Sequence, residues 1–121
     1  MYDHVGLKVS DVAASARFFE AALKPLGFVL CTRDESGAGF GPKDQPALWI
    51  YGGGQANGGD AHVAFRAPDR AAVARFHAAG LAAGGRDNGA PGVRTDYSAN
   101  YYAAFLIDPD GNNVEAVCMT D

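Results

Sequence analysis

The chain has 121 residues, of which 48% are hydrophobic and 20% are charged, as is typical of one globular domain with a proper core. A net charge of -4 and a pI near 5.2 argue against a nucleic-acid-binding surface, which normally clusters Lys and Arg. No apolar run approaches the ~20 residues that a membrane span needs, and the first residues do not resemble a signal peptide. Cys31 and Cys118 lack metal-binding spacing, so we expect a reduced, cytoplasmic protein.

The first half of the chain predicts a strand, a helix and three more strands. Residues 2–9 alternate with period two, which places His4 on the face opposite Val5 and Leu7. Ser10 is the expected N-cap of a helix that ends near Lys24. The three further strands, of which the middle one is weak, are predicted at residues 28–33, 37–41 and 47–51.

A glycine-rich linker separates this half from a second copy of the same pattern. When His62 is laid on His4, further positions of the two halves coincide, which indicates an internal repeat. These pairs are Val5 and Val63, Asp11 and Asp69, Phe18 and Phe76, and Gly27 and Gly85. We therefore expect a single domain over residues 1–121, with module one at about 1–51, a linker at 52–60 and module two at about 61–121.

The second half begins with a strand at His62, followed by a helix that Asp69 caps and that Gly80, Gly84 and Gly85 end. A long loop is predicted at 87–100. The remaining elements are a strand at 101–107, a type I turn at 108–111 and a last strand at 111–119.

Three residues that could bind a metal ion fall on the strand faces that the helices leave free. Strand parity places His4, His62 and Glu115 on these faces, and we expect the two sheets to curl towards each other around a cavity. Glu115 interrupts an apolar strand, where an unpaired carboxylate is costly. Two imidazoles and one carboxylate leave part of a metal's coordination sphere open for substrate. The alternatives are hydrogen-bonded core histidines and a solvated edge-strand carboxylate.

The chain resembles the vicinal oxygen chelate superfamily, which comprises glyoxalase, bleomycin-resistance and dioxygenase proteins. The resemblance rests on motifs from both halves: His4, Ser10-Asp11, Phe18-Phe19, His62, the run Phe105-Leu-Ile-Asp-Pro-Asp-Gly-Asn112, and Glu115. It implies an α+β fold in which two βαβββ modules form a curled mixed sheet. It also implies a homodimer, with His4, His62 and Glu115 as ligands of a divalent metal (Fe, Zn, Ni or Mn).

Members with four ligands carry another acid at the end of the fourth strand, where this chain has Leu48-Trp49-Ile50-Tyr51. Three ligands are more similar to the extradiol dioxygenases or the fosfomycin-resistance thiol transferases. The resemblance therefore implies a glyoxalase-like lyase or isomerase, or a dioxygenase, acting on a small oxygenated substrate. The alternative that it leaves open is a metal-free binding protein of the bleomycin-resistance type.

The predicted loop before the strand at 101–107 supplies further candidate site residues. Besides Glu115, we expect Arg94 and Tyr97 to be catalytic, because Arg94 could bind a substrate carboxylate or phosphate. Tyr97, Tyr101 and Tyr102 could cap the cavity and donate phenolic hydrogen bonds; for Tyr101 and Tyr102 the alternative is strand propensity with packing. For Arg94 the alternative is a solvated cation. Trp49 and Tyr51 could line the cavity or belong to the core, and His77 is expected at the surface.

Overall fold

A computed structural model of the chain describes residues 1–120. It contains eight strands, two α-helices and one short 3₁₀ turn. The strands are β1 (Val5–Lys8), β2 (Val29–Asp34), β3 (Gly37–Gly41), β4 (Leu48–Tyr51), β5 (His62–Arg66), β6 (Arg86–Val93), β7 (Tyr102–Ile107) and β8 (Asn113–Cys118). The helices are α1 (Val12–Leu23), followed by the 3₁₀ turn Lys24–Leu26, and α2 (Arg70–Ala82). No helix among the described residues combines the length and the apolar character needed to cross a membrane.

The two halves form two mixed four-stranded sheets with the same topology. Sheet one has the order β1-β4-β3-β2, and sheet two has the order β5-β8-β7-β6. The neighbours β1 and β4 in sheet one, and β5 and β8 in sheet two, are parallel. All other neighbouring strands are antiparallel. This repeat confirms the predicted α+β fold of two βαβββ modules.

The helix-covered faces of both sheets contribute to one shared core. Leu7 and Ile50 of sheet one belong to the same buried cluster as Leu106 and Val114 of sheet two. Helices α1 and α2 contact each other and join the two halves. The faces without helices lie outside this core and line separate cavities. Another cavity, of about 210 Å³, is lined by residues of both modules, among them His4 and Ala64, but its lining does not include His62 or Glu115.

Helix α1 begins one residue later than the sequence suggests. The N-cap is Asp11, whose Oδ1 accepts a hydrogen bond from the backbone N–H of Ala14 at 3.0 Å. Asp69 caps α2 in the same way through Ala72, at 2.7 Å. Ser10 lies outside the helix and instead donates its hydrogen bonds to another part of the chain, at Asp110.

Helix α2 continues past Gly80, the first of the three glycines that were expected to end it, and stops before Gly84. Gly80 lies within the helix. Glycine is needed there because α2 packs closely on β7, so that a Cβ at this position would lie 2.3 Å from Leu106 Cδ1. Gly84 has φ +103, which an L side chain rarely adopts, and it terminates the helical segment.

Strand β6 occupies the first part of the predicted loop at 87–100. Its pairing with β7 shifts register between Asp87 and Gly89 and again between Gly89 and Gly92, so its sequence does not alternate regularly. As an edge strand of sheet two it also tolerates Pro91, which would weaken a central strand.

The linker is fixed to both modules and does not run free. Gly54 donates its N–H to the carbonyl of Val9, and Gly59 donates to the carbonyl of Asp110. A Cβ on Gly54 would lie 2.8 Å from the backbone nitrogen of Val9. Glycine is therefore needed at Gly54 for close approach of two backbones, in addition to any role as a spacer.

Candidate functional site

His62 and Glu115 meet on the face of sheet two that carries no helix. Strands β5 and β8 are parallel neighbours in which Ala64 pairs with Glu115 and His62 pairs with Asn113. His62 Nε2 and Glu115 Oε1 lie 2.7 Å apart, with the imidazole side chain 54% exposed and the carboxylate side chain 2% exposed. The buried acid is thus paired with an imidazole that remains accessible from solvent.

The second oxygen of the same carboxylate accepts a hydrogen bond from the Tyr101 hydroxyl. Burial, followed by this hydrogen bond to Glu115, raises the pKa of the Tyr101 phenol to about 12. Tyr97 packs against Tyr101 edge to face, with ring centroids 4.9 Å apart. At neutral pH the site therefore contains a protonated phenol that donates to a buried carboxylate.

A small cavity of about 260 Å³ lies beside this cluster on the same sheet. The guanidinium of Arg94 lies 5.4 Å from the ring centroid of Phe105, and its Nη2 donates to the carbonyl of Ala90. Phe105 in turn lies beside His62, with ring centroids 6.3 Å apart. The cavity is lined by Asn88, Gly89, Arg94, Tyr97, Phe105 and Asn113.

His4 does not join His62 and Glu115 within one chain. Its Nδ1 lies 2.7 Å from Asp3 Oδ1, and both side chains are largely exposed. Across residues 1–120, no group of three or more His, Cys, Asp or Glu side chains could hold a metal ion. The reason is geometric, because His4 precedes a strand of sheet one whereas the other two residues belong to sheet two.

Trp49 and Tyr51 lie on the helix-free face of sheet one. Their rings stack with an interplanar angle of 9° and lie against the backbone of Gly39 and Gly6, where no Cβ intervenes. They line a cavity of about 280 Å³ on this sheet. Both residues therefore line a cavity on sheet one and do not belong to the shared core.

His77 departs from the sequence-based expectation. Its side chain is only 12% exposed, and its Nε2 lies 2.9 Å from Oδ1 of Asp87. The hydrogen bond from His77, together with the backbone N–H of Gly89, lowers the pKa of the Asp87 carboxyl. The pair links α2 to β6 and lies outside the cluster around Glu115.

Phe105 and Asn113 line the site but were not identified from the sequence as site residues. Both share the strand parity of Glu115, since Phe105 pairs with Glu115 across β7 and β8, and Asn113 precedes it by two residues. Parity could therefore have identified them once Glu115 was assigned to the helix-free face.

The sequence of the chain matches one protein family over nearly its whole length. The family model for the Glyoxalase/Bleomycin resistance protein/Dioxygenase superfamily matches residues 2–116. The chain belongs to this superfamily. No curated protein matches it.

Solved structures from this superfamily share the fold. A glyoxalase/bleomycin resistance protein from Albidiferax ferrireducens T118 is 31% identical, with a TM-score of 0.75 and 97% of each chain covered. A glyoxalase/bleomycin resistance protein/dioxygenase family enzyme from Burkholderia phytofirmans PsJN is 17% identical, with a TM-score of 0.74 and 98% of each chain covered. A V278E mutant of glyoxalase I from Zea mays is 26% identical, with a TM-score of 0.72, over 94% of this chain and 44% of that one.

Proposed function

We propose that this superfamily member is a small metal-dependent enzyme, either a glyoxalase-like lyase or isomerase or a dioxygenase, acting on a small oxygenated molecule. The observation that carries the proposal is the separation of 2.7 Å between His62 Nε2 and Glu115 Oε1 on an accessible face. Two ligand atoms in adjacent positions, each about 2.1 Å from a metal, lie about 3 Å apart. This pair therefore needs only a small adjustment to bind one ion.

The third ligand in this proposal is His4 of a second copy of the chain. Strands β1 and β5 each have one partner, so each presents a free edge, and His4 directly precedes β1. An exposed strand edge favours pairing with another chain. A homodimer that brings the β1 edge of one copy beside the β5 edge of the other would complete the predicted set of His4, His62 and Glu115.

The bound metal would act as a Lewis acid that polarises vicinal oxygen atoms of the substrate. The residues around it have separate tasks in the proposal. Arg94 would bind a carboxylate or phosphate group, because its contact with Ala90 uses one of the several N–H donors that a guanidinium carries. Phe105 would pack against the apolar part of the substrate, and the exposed Tyr97 would cover it.

A metal-free binding protein for a small molecule is the second candidate. It is favoured by the fact that Glu115 already has a partner for each oxygen, His62 for one and Tyr101 for the other. A buried carboxylate satisfied in this way requires no metal for its stability. The cavity beside Arg94 would then serve for sequestration without chemistry.

Metal titration of the purified protein separates the two candidates. We expect the wild type to bind a divalent ion stoichiometrically and the Glu115→Gln variant to lose binding while remaining folded. Gln preserves the shape of the side chain and can still accept the phenolic hydrogen bond through its amide oxygen. A wild type that binds no divalent ion, but retains ligand affinity, would support the metal-free alternative.

Mixing two variants that have each lost metal binding tests whether the site is shared between two copies of the chain. A dimer that pairs His4→Ala with His62→Ala would contain one complete site and one site lacking both histidines. We therefore expect the mixture to recover part of the metal binding that each variant alone has lost. No recovery after the subunits have exchanged would show that the three ligands do not come from two copies.

A further inference from the structure

The two oxygens of Glu115 have different partners and different surroundings. Oε1 lies beside the accessible imidazole of His62, and Oε2 accepts the hydrogen bond from Tyr101. The residue itself is 1% exposed, so water does not compete freely for either oxygen. This asymmetry fixes which part of the carboxylate can face a ligand.

We propose that Tyr101 is a positioning residue that holds Oε2 of Glu115 and leaves Oε1 as the single oxygen presented to the metal. The inference rests on the proposed function, because it assigns a role within the same site. A carboxylate that binds through one oxygen occupies one coordination position, whereas one that chelates occupies two. Tyr101 thereby keeps a position open for the substrate.

The backbone around Tyr101 holds the phenol in place. Tyr101 immediately precedes β7 and continues the parity of Ala103 and Phe105, and its hydrogen bond places the ring on the face that carries Glu115. The backbone N–H of Arg94 donates to the carbonyl of Tyr101 at 2.6 Å, which closes the loop between β6 and β7. Tyr97, also in this loop, supports the ring from the side.

The small residue between Tyr101 and Phe105 makes room for this arrangement. Ala103 lies two residues from each of them on the same face and is fully buried. A larger side chain at this position would compete with the phenol for the space next to Glu115. The contact therefore joins the residue that precedes β7 to Glu115 of β8, as expected of a second layer that orients a metal ligand.

The Tyr101→Phe variant removes the hydroxyl group and preserves the ring. Isothermal titration with Zn²⁺ should show an affinity about 10- to 100-fold below that of the wild type, the usual cost of losing a group that orients a ligand. Tyr102→Phe is the matched control. It removes a hydroxyl from the next residue, which has the opposite parity and whose ring packs under Arg70, so its affinity should match that of the wild type.

The outcomes distinguish this inference from the proposed function. If the wild type binds no Zn²⁺, the proposed function fails, and the positioning role fails with it. If the wild type binds Zn²⁺ and Tyr101→Phe binds it equally or more tightly, only the positioning role is wrong. Equal losses in Tyr101→Phe and Tyr102→Phe would likewise contradict it, because they would indicate a general effect on folding.

A second measurement does not depend on the stability of the Tyr101→Phe variant. With 3-fluorotyrosine at position 101, the phenol and its hydrogen bond are retained, and the ¹⁹F resonance should move as Zn²⁺ is added. The same label at position 102 should move little, because Tyr102 lies on the opposite face. A resonance at position 101 that stays constant while Zn²⁺ binds would overturn the inference.

Discussion

Ser10 and Asp110 join the two modules, although 100 positions separate them in the sequence. The backbone N–H of Ser10 donates to one carboxylate oxygen at 2.9 Å, and its hydroxyl donates to the other at 2.6 Å. Asp110 is buried in the turn between β7 and β8. This contact fixes the start of α1 against the strand pair that carries Glu115, and hence links the two halves of the fold.

Substitution of Ser10 by Ala should destabilise the protein. The change leaves one oxygen of a buried carboxylate without its hydroxyl donor, so the free energy of unfolding should fall by about 1–3 kcal/mol. Chemical denaturation measures this loss. Ser36→Ala is the control, because it removes a comparable hydrogen bond to Asp34 at 2.7 Å, but an exposed one. Equal losses in both variants would show that burial of Asp110 does not matter.

Alkaline pH should lower the free energy of unfolding, because the Tyr101 phenol ionises. Its pKa is raised to about 12 in the folded state, above the value near 10 of an unfolded tyrosine. The protonated Tyr101 phenol therefore makes its full contribution to the free energy of unfolding below about pH 10, and this contribution is lost as the pH rises towards 12. Ultraviolet titration of tyrosinate should show a late-ionising phenol that is absent in Tyr101→Phe and present in Tyr97→Phe. Its presence in Tyr101→Phe would assign it to another tyrosine.

Acidic pH should weaken the contact between α2 and β6. The pKa of Asp87 is lowered in the folded state by the hydrogen bond from His77, so its contribution is present above the ordinary value of 3.8. It is lost as the pH falls through the lowered pKa. Asp87→Asn should therefore show less acid dependence of stability below pH 3.8 than the wild type. An unchanged acid dependence of stability in Asp87→Asn would contradict this prediction.

The periodic strands allowed much of the fold to be predicted from the sequence. Alternation in β5 and β8 placed His62 and Glu115 on one face, and the structure brings them into contact. Strand β6 was missed, since two register shifts remove the alternation that reveals a strand. Ser10 was assigned as an N-cap because its partner Asp110 is too distant in the sequence for local reasoning to identify.

The arrangement of the two sheets could not be obtained from local patterns. Parity tells which face a side chain occupies, but not which way that face points in the folded chain. Packing of both helix-covered faces on one core left His4 apart from His62 within one chain. Likewise, the sequence did not decide whether Tyr101 caps a cavity or only packs in a strand, because its hydrogen bond to Glu115 depends on the tertiary structure.

Ser15 offers a test in which removal of a polar group should stabilise the protein. It is fully buried on α1, and across residues 1–120 its Oγ has no hydrogen-bond partner. Such a group lowers stability because it has lost contact with water without a replacement. Ala also has the higher helix propensity. We therefore expect Ser15→Ala to raise the free energy of unfolding by about 1 kcal/mol, in the opposite direction to Ser10→Ala. A loss of stability in Ser15→Ala would indicate instead that the hydroxyl bonds in solution to the carbonyl of Asp11, one turn earlier in the helix.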